Sequence, residues 1–450
     1  MKFDLLIKNA RTRFSKGKML DIAVADGRIA KIGQKLGGEA KKKIDAGGKL
    51  VTESFINGHL HLDKVYTLSM VGMDALSSYT AGAMGGAMTA IEQAARVKVH
   101  YNEKWIIENV RKAVKLAIKF GNTHIRAFAD TDTKAKLEGV KAMLKAREEF
   151  KDQVEIQVVA FPQDGVVRDP GAEDYVRQAM DLGADVVGGI PWIEYTEADS
   201  QTHVNLMFAI AKKYNKDVSM LVDDAGDPGL RTLEMLIMKT LEIGWQGRVT
   251  AQHARAMALY PEPYYRKIEA LLKKAQVGVV SDPQTGPLHA RVRDLYNAVV
   301  GIALGQDDIA DAYYPFGRNN MLEVAFLAAH LMWMTTVEDM EILYDLITTR
   351  AAHALGIKEF GLKEGNKADL VILNAEAVWE AIWNHEAPLH VIKSGREITL
   401  KYAGAGASCP VRFTAGGRRC QSALTREGIH PWKPVMRRNG APRMSSPRPS

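Results

Sequence analysis

Gly58-His59-Leu60-His61-Leu62-Asp63 closes the first long apolar run of the chain, which begins at Val51. A doubly wound sheet places a Gly-rich loop after its first strand. Two histidines separated by one residue stand there instead. In an extended strand, residues two apart point to the same side, so His59 and His61 present two imidazoles to one point. A regular beat follows from this strand. Apolar runs end at Asp130, Gln163, Trp192, Asp224, His253, Asp282 and Asp308, at intervals of 33, 29, 32, 29, 29 and 26 residues. A βα unit takes about 30 residues. The segments between them are spaced as helices: Leu137, Val140 and Leu144 share a face, as do Leu233, Leu236, Ile237 and Leu241. Gly244 sits where a helix C-terminal Gly belongs. Eight strands alternating with helices predict an α/β fold, a TIM (β/α)8 barrel over residues 51–361.

Both ends of the chain read differently. Asp4-Leu5-Leu6-Ile7-Lys8, Ile22-Ala23-Val24 and Ile29-Ala30-Lys31-Ile32 are strand-like, and Asp26-Gly27 between the last two signals a hairpin. Ala368 to Leu373 and His390 to Lys393 repeat the pattern, with a turn at Ser394-Gly395-Arg396. Residues 1–50 and 362–402 are therefore expected to pair into one small sheet domain. Residues 403–450 are rich in Gly, Pro, Ser and Arg without a hydrophobic period and read as a disordered tail.

Composition narrows the function. The chain has 450 residues, 46% of them apolar, enough for a large core. Its net charge of +7 comes from the tail, where eight Arg and one Lys face one Glu. Removing that +8 leaves the body at −1, which excludes a basic nucleic-acid footprint on the folded part. Both cysteines, Cys409 and Cys420, lie in the tail, so the body uses no disulfide. No apolar run reaches the ~20 residues of a membrane span, and Met1-Lys2-Phe3-Asp4 opens no apolar signal region. A cytoplasmic protein that binds a small molecule and no membrane is expected.

Barrel enzymes keep their reactive groups at the C-terminal ends of strands. Barrel closure brings the eighth strand beside the first, so Asp307 or Asp308 can complete a metal site with His59 and His61. His253 ends the run from Val249, and Asp223-Asp224 end the one before it, where a carboxylate can move a proton. Gln163 follows Val158-Val159-Ala160-Phe161-Pro162, and an amide both donates and accepts, which suits a heterocycle edge. Trp192 and Asp282 are candidates for the pocket wall.

Taken together, these motifs resemble the amidohydrolase superfamily, in its branch of cytosine deaminases and N-isopropylammelide isopropylaminohydrolases. The carriers are Ile56 to Lys64, Gln157 to Gln163, Gly183 to Pro191, Arg248 to His253, and Gln306-Asp307-Asp308 with Tyr314-Pro315-Phe316-Gly317. The resemblance spans roughly residues 1–400. It implies a distorted barrel with a small β-sandwich made by both chain ends, and one divalent metal, usually zinc or iron. It implies His59, His61 and Asp307 as ligands and His253 as the group that orients the attacking water. Gln163 would hold the substrate ring. Asp308 would contact substrate or help move a proton, and Asp224 would occupy the position of a catalytic carboxylate. The implied reaction is hydrolytic deamination of an aminopyrimidine or aminotriazine. The family often assembles, so a homo-oligomer is open.

One departure matters. The family's fifth strand ends with a ligand His followed, three residues further on, by a catalytic Glu in cytosine deaminases. Here Ser219-Met220-Leu221-Val222-Asp223-Asp224 puts Leu221 at the ligand position and Asp224 at the Glu position. Gln306 also replaces a His of cytosine deaminases. Three readings follow: a metal held by the remaining ligands, a hydrolase of a cyclic amide or urea, or a metal-free binding descendant.

Overall fold

The computed structural model describes residues 2–71, 76, 91–92 and 94–398; the tail reading falls on residues 403–450, outside them. Among the described residues, sixteen strands form three sheets. At the N-terminus are β1 (Lys2–Ala10), β2 (Leu20–Ala25), β3 (Arg28–Gly33) and β4 (Glu39–Asp45). β5 (Val51–Glu53) follows. The barrel strands are β6 (Phe55–Leu60), β7 (Asn122–Asp130), β8 (Glu155–Phe161), β9 (Val186–Gly189), β10 (Asp217–Val222), β11 (Val249–His253), β12 (Gly278–Ser281) and β13 (Ile302–Leu304). Last come β14 (Leu370–Ile372), β15 (His390–Lys393) and β16 (Arg396–Glu397).

The eight central strands lie parallel in sequence order, β6 to β13. The circle closes through backbone bonds: His61 N donates to Asp307 O at 2.8 Å, and Asp307 N donates to His59 O at 2.9 Å. Those are the two segments that carry the first- and eighth-strand candidates, so closure itself brings them together. The helices between strands are built as their sequences predict. Asn102 caps Glu103–Lys119 by accepting from Lys104 N at 2.9 Å, and Gly244, at φ 71°, ends Thr232–Ile243 in the left-handed conformation. Among the described residues, no helix is long and apolar enough to cross a membrane.

Inside the barrel, strand alternation sorts β7 by depth. Arg126, Phe128 and Asp130 point the same way, two residues apart. Arg126 bonds across the interior to Thr250 Oγ1 at 2.9 Å and to Leu355 O at 3.1 Å. Phe128 packs its ring 4.2 Å from that of His59. Asp130 reaches Lys64 at the open end.

One sequence reading is corrected. The apolar run from Val51 to His61 is two strands: β5 pairs with β14 in the C-terminal sheet, and only β6 enters the barrel. The chain ends form the expected small β-sandwich. They make two four-stranded sheets, β3-β2-β1-β4 and β16-β15-β14-β5. The two share one apolar cluster that includes Leu5, Ile22, Val24, Leu370 and Ile392. Sequence patterning reports alternation within a strand and not which sheet the strand joins. Both predicted turns do form, with Asp26-Gly27 at φ 51° and 73° and Ser394-Gly395 at φ 47° and 76°.

Candidate active site

Three imidazoles and one carboxylate converge at the closed seam. Oδ1 of Asp307 lies 2.9 Å from His59 Nε2, 3.6 Å from His61 Nε2 and 3.9 Å from His253 Nε2. All four side chains are buried. His59 stands edge-on to both other rings, with centroids 5.0 Å from His61 and 4.9 Å from His253. Burial holds all three imidazoles neutral: it pulls His59 down to about 3 and takes His61 and His253 well below the usual histidine value. Neutral imidazole is the form that binds metal. Burial, with the Asp224 charge nearby, raises the Asp307 carboxyl to about 8.

Backbone geometry aims these groups. His253 and Asp307 have φ of 63° and 61°, in the left-handed region that non-Gly residues rarely adopt. Such strain costs about 1–3 kcal/mol per residue and gathers at functional sites. Here it turns the side chains at the ends of β11 and β13 inward.

Donor atoms around one tetrahedral cation at 2.0–2.2 Å stand about 3.4 Å apart, and the spacings from Asp307 Oδ1 bracket that value. His59 Nε2 makes no hydrogen bond among the described residues. The donor set of His59, His61 and Asp307 therefore fits a divalent cation. Behind it, His253 Nδ1 lies 3.3 Å from Asp282 Oδ2, and neither Asp282 oxygen makes a hydrogen bond among the described residues. Asp282 thus stands close to His253 Nδ1 without a hydrogen bond to it.

Beside the donors lies a cavity. One wall is apolar, from Ile91, Ile190, Trp192 and Leu221. The polar part of the lining is Gln163, Asp224, Arg255, Asp308 and Tyr313, the last packed against the apolar cluster. His61, Gln163, Trp192, Asp224, His253, Asp307 and Asp308 line the cavity and His59 stands beside it, whereas Asp282, expected in the pocket wall, lies behind His253 and does not line it. Asp224 is gripped by Arg255, whose Nε lies 2.5 Å from its Oδ1 and whose Nη2 donates to its backbone oxygen at 2.8 Å. Burial still raises the Asp224 carboxyl, against the pull of Arg255. Asp308 is raised well above the usual range by burial and then by Asp307. Asp223, its carboxylate taken by Thr232 and Tyr260, is structural.

Sequence reasoning missed Arg255, Tyr313 and Ile91, and it did not use Lys64. The signal for Lys64 was present, as a Lys in the strand-end segment that carries the two histidines. Arg255 stands two residues beyond His253, at a position no periodicity singles out.

A sequence model of the amidohydrolase family matches residues 42–398. The chain is 33% identical over 399 residues to N-isopropylammelide isopropyl amidohydrolase of Pseudomonas sp. strain ADP, covering 88% of this chain and 97% of that one. It superposes on 5-methylcytosine deaminase from Klebsiella pneumoniae liganded with phosphonocytosine with a TM-score of 0.81 at 29% identity, over 90% of this chain and 100% of that chain. For N-isopropylammelide isopropylaminohydrolase from Burkholderia multivorans the TM-score is 0.77 at 28% identity, over 87% and 97%.

Proposed function

Since the chain belongs to the amidohydrolase family and is a hydrolase of carbon–nitrogen bonds, we propose that it releases ammonia or an alkylamine from a nitrogen heterocycle, an aminopyrimidine or aminotriazine, with one divalent cation. The observation that carries this reading is the convergence of three Nε2 atoms on Asp307 Oδ1 beside a cavity lined by apolar and polar groups. His59, His61 and Asp307 would hold the metal, zinc or iron by donor chemistry. When bound, a divalent cation brings the pKa of water near neutrality. The chain's own residues do the rest. His253, beside Asp282, faces the reacting centre with Nε2 and orients the attacking water. Asp224, 3.7 Å from His253 Nδ1, lies where it can pass a proton to the departing amine. Gln163 and Asp308 hold polar ring edges, and Trp192 and Leu221 cover the ring with apolar surface. Leu221 in place of an imidazole makes the cavity wall more apolar, which suits an alkyl group on the leaving amine. In this reading the barrel is the catalytic domain and the two small sheets support it.

The test is a screen of aminopyrimidines and N-alkylaminotriazines for amine release. Release that stops with chelator and in His253→Ala is expected. A new carboxylate without free amine would instead mean ring opening of a cyclic amide or urea, and the deaminase reading would fall.

A further inference from the structure

We propose that Lys64 is a positioning residue which fixes the Gln163 amide, so that the site offers an N–H donor and selects rings carrying an oxo group at that edge. The inference rests on the heterocycle reading above and names the ring chemistry it takes. Gln163 lines the cavity and Lys64 does not. Lys64 stands behind the amide, buried, its Nζ donating to Gln163 Oε1 and, at 3.0 Å, to Asp130 Oδ1. On its other side, Gln163 Nε2 donates to the Tyr313 hydroxyl at 2.9 Å.

A glutamine amide can turn over, exchanging its oxygen and nitrogen between two partners. An ammonium donates three protons and accepts none. Turning the amide over would set NH2 against NH3+, so the oxygen must face Lys64 and the nitrogen must face the cavity side. Of the two N–H groups on that nitrogen, one goes to Tyr313. The second is what a bound ring meets.

The ammonium is kept in place and in its charged form by an alternating chain of charges, buried up to the exposed Lys134 at its end. Asp130 shares its second oxygen with Lys98 at 3.3 Å. Lys98 also pairs with Asp132 and Asp164, each at 2.7 Å, and Asp164 with Lys134 at 2.9 Å. Burial works against the Lys64 charge, but Asp130 and Asp63 outweigh it and leave its pKa above the usual lysine value. The chain joins the segments after β6, β7 and β8, which fixes Lys64 relative to Gln163.

A ring oxygen at this edge accepts the free N–H. An exocyclic amino group there sets donor against donor and leaves both unpaired in a buried site, which costs affinity. The test is calorimetric binding of 2-pyrimidinone and 2-aminopyrimidine, rings that differ by one oxo or amino group, to the purified full chain and three variants. The wild-type chain is expected to prefer the oxo ring by about 10-fold or more. Lys64→Met frees the amide to turn and should shrink the preference to about 3-fold or less, while Lys64→Arg, which also only donates, restores it. Gln163→Glu keeps Lys64 paired, turns the cavity-side donor into an acceptor, and should reverse the preference. Equal binding of both rings to the wild-type chain, or an unchanged preference in Lys64→Met, overturns the proposal. If Lys64→Met does not fold, an oxo preference retained by Gln163→Glu overturns it. Should neither ring bind the wild-type chain, the heterocycle reading itself fails and this inference with it.

Discussion

Gly305 follows β13 and touches the site from behind. A Cβ built there would lie 2.2 Å from Asp282 Oδ1, 2.7 Å from His59 Cβ and 3.0 Å from His59 N. Ordinary contacts begin near 3.4 Å, so Gly305→Ala forces about 1.2 Å of movement at Asp282 or about 0.7 Å at His59. The Asp282 carboxylate is fully buried and stands 3.3 Å from His253 Nδ1, so its swing moves His253. The His59 atoms belong to β6 and cannot yield without moving a metal-side imidazole. A displacement of about 1 Å in a reacting group costs on the order of 10²-fold in rate. Overpacking adds about 1–3 kcal/mol of instability. The expected result is therefore a ~10²-fold loss of kcat/KM with a drop of only a few degrees in Tm. Gly301→Ala is the control. It lies at the other end of the same strand, where the new Cβ meets Ala354 Cα at 3.2 Å and His353 Nδ1 at 3.4 Å. That variant should lose some stability and keep its activity. Activity of Gly305→Ala within twofold of the wild-type chain, in a normally folded protein, would refute the reasoning.

Asp282→Asn keeps the shape beside His253 and replaces its carboxyl, which burial and then Asp307 raise well above the usual range, by an amide. It should lower kcat about 10–100-fold with Tm nearly unchanged, as steady-state kinetics and a thermal melt will show. Leu221→His adds an imidazole at the end of β10, and metal retention against chelator should improve by about tenfold or more, worth ~1.4 kcal/mol. His289 is buried and held neutral by burial, and then by Arg255, at about 4. The unfolded chain binds that proton from about pH 6.5 downward, so this contribution to stability is complete above pH 6.5 and is lost as pH falls toward 4. Its size is up to about 3 kcal/mol. His289→Gln should flatten the fall of Tm over that window; an unchanged slope would remove His289 from the account.

The barrel was legible because its signal is repeated. Seven strand ends recur every 26 to 33 residues, and each puts a side chain at the open end. His59 and His61 were readable from their alternation, and Asp307 from closure. What escaped was information that alternation does not hold. The change of sheet at Ser54 leaves no trace in burial, because Val51–Glu53 and Phe55–Leu60 are both buried, and the polar Thr52-Glu53-Ser54 between the apolar residues does not say which sheet each side joins. The chain Lys64–Asp130–Lys98–Asp164 was invisible because its members sit up to 100 residues apart and each alone looks like a surface charge. Arg255 was missed for the same reason: only the fold shows that its partner is Asp224.

The most direct test of the central claim is elemental analysis of the purified chain beside a His59→Ala/His61→Ala variant. The account predicts close to one divalent metal per chain, absent from the variant, despite Leu221 at the end of β10. No metal in the wild-type chain, even after loading with zinc, iron and manganese, would contradict it and leave the cavity as a binding site without hydrolysis.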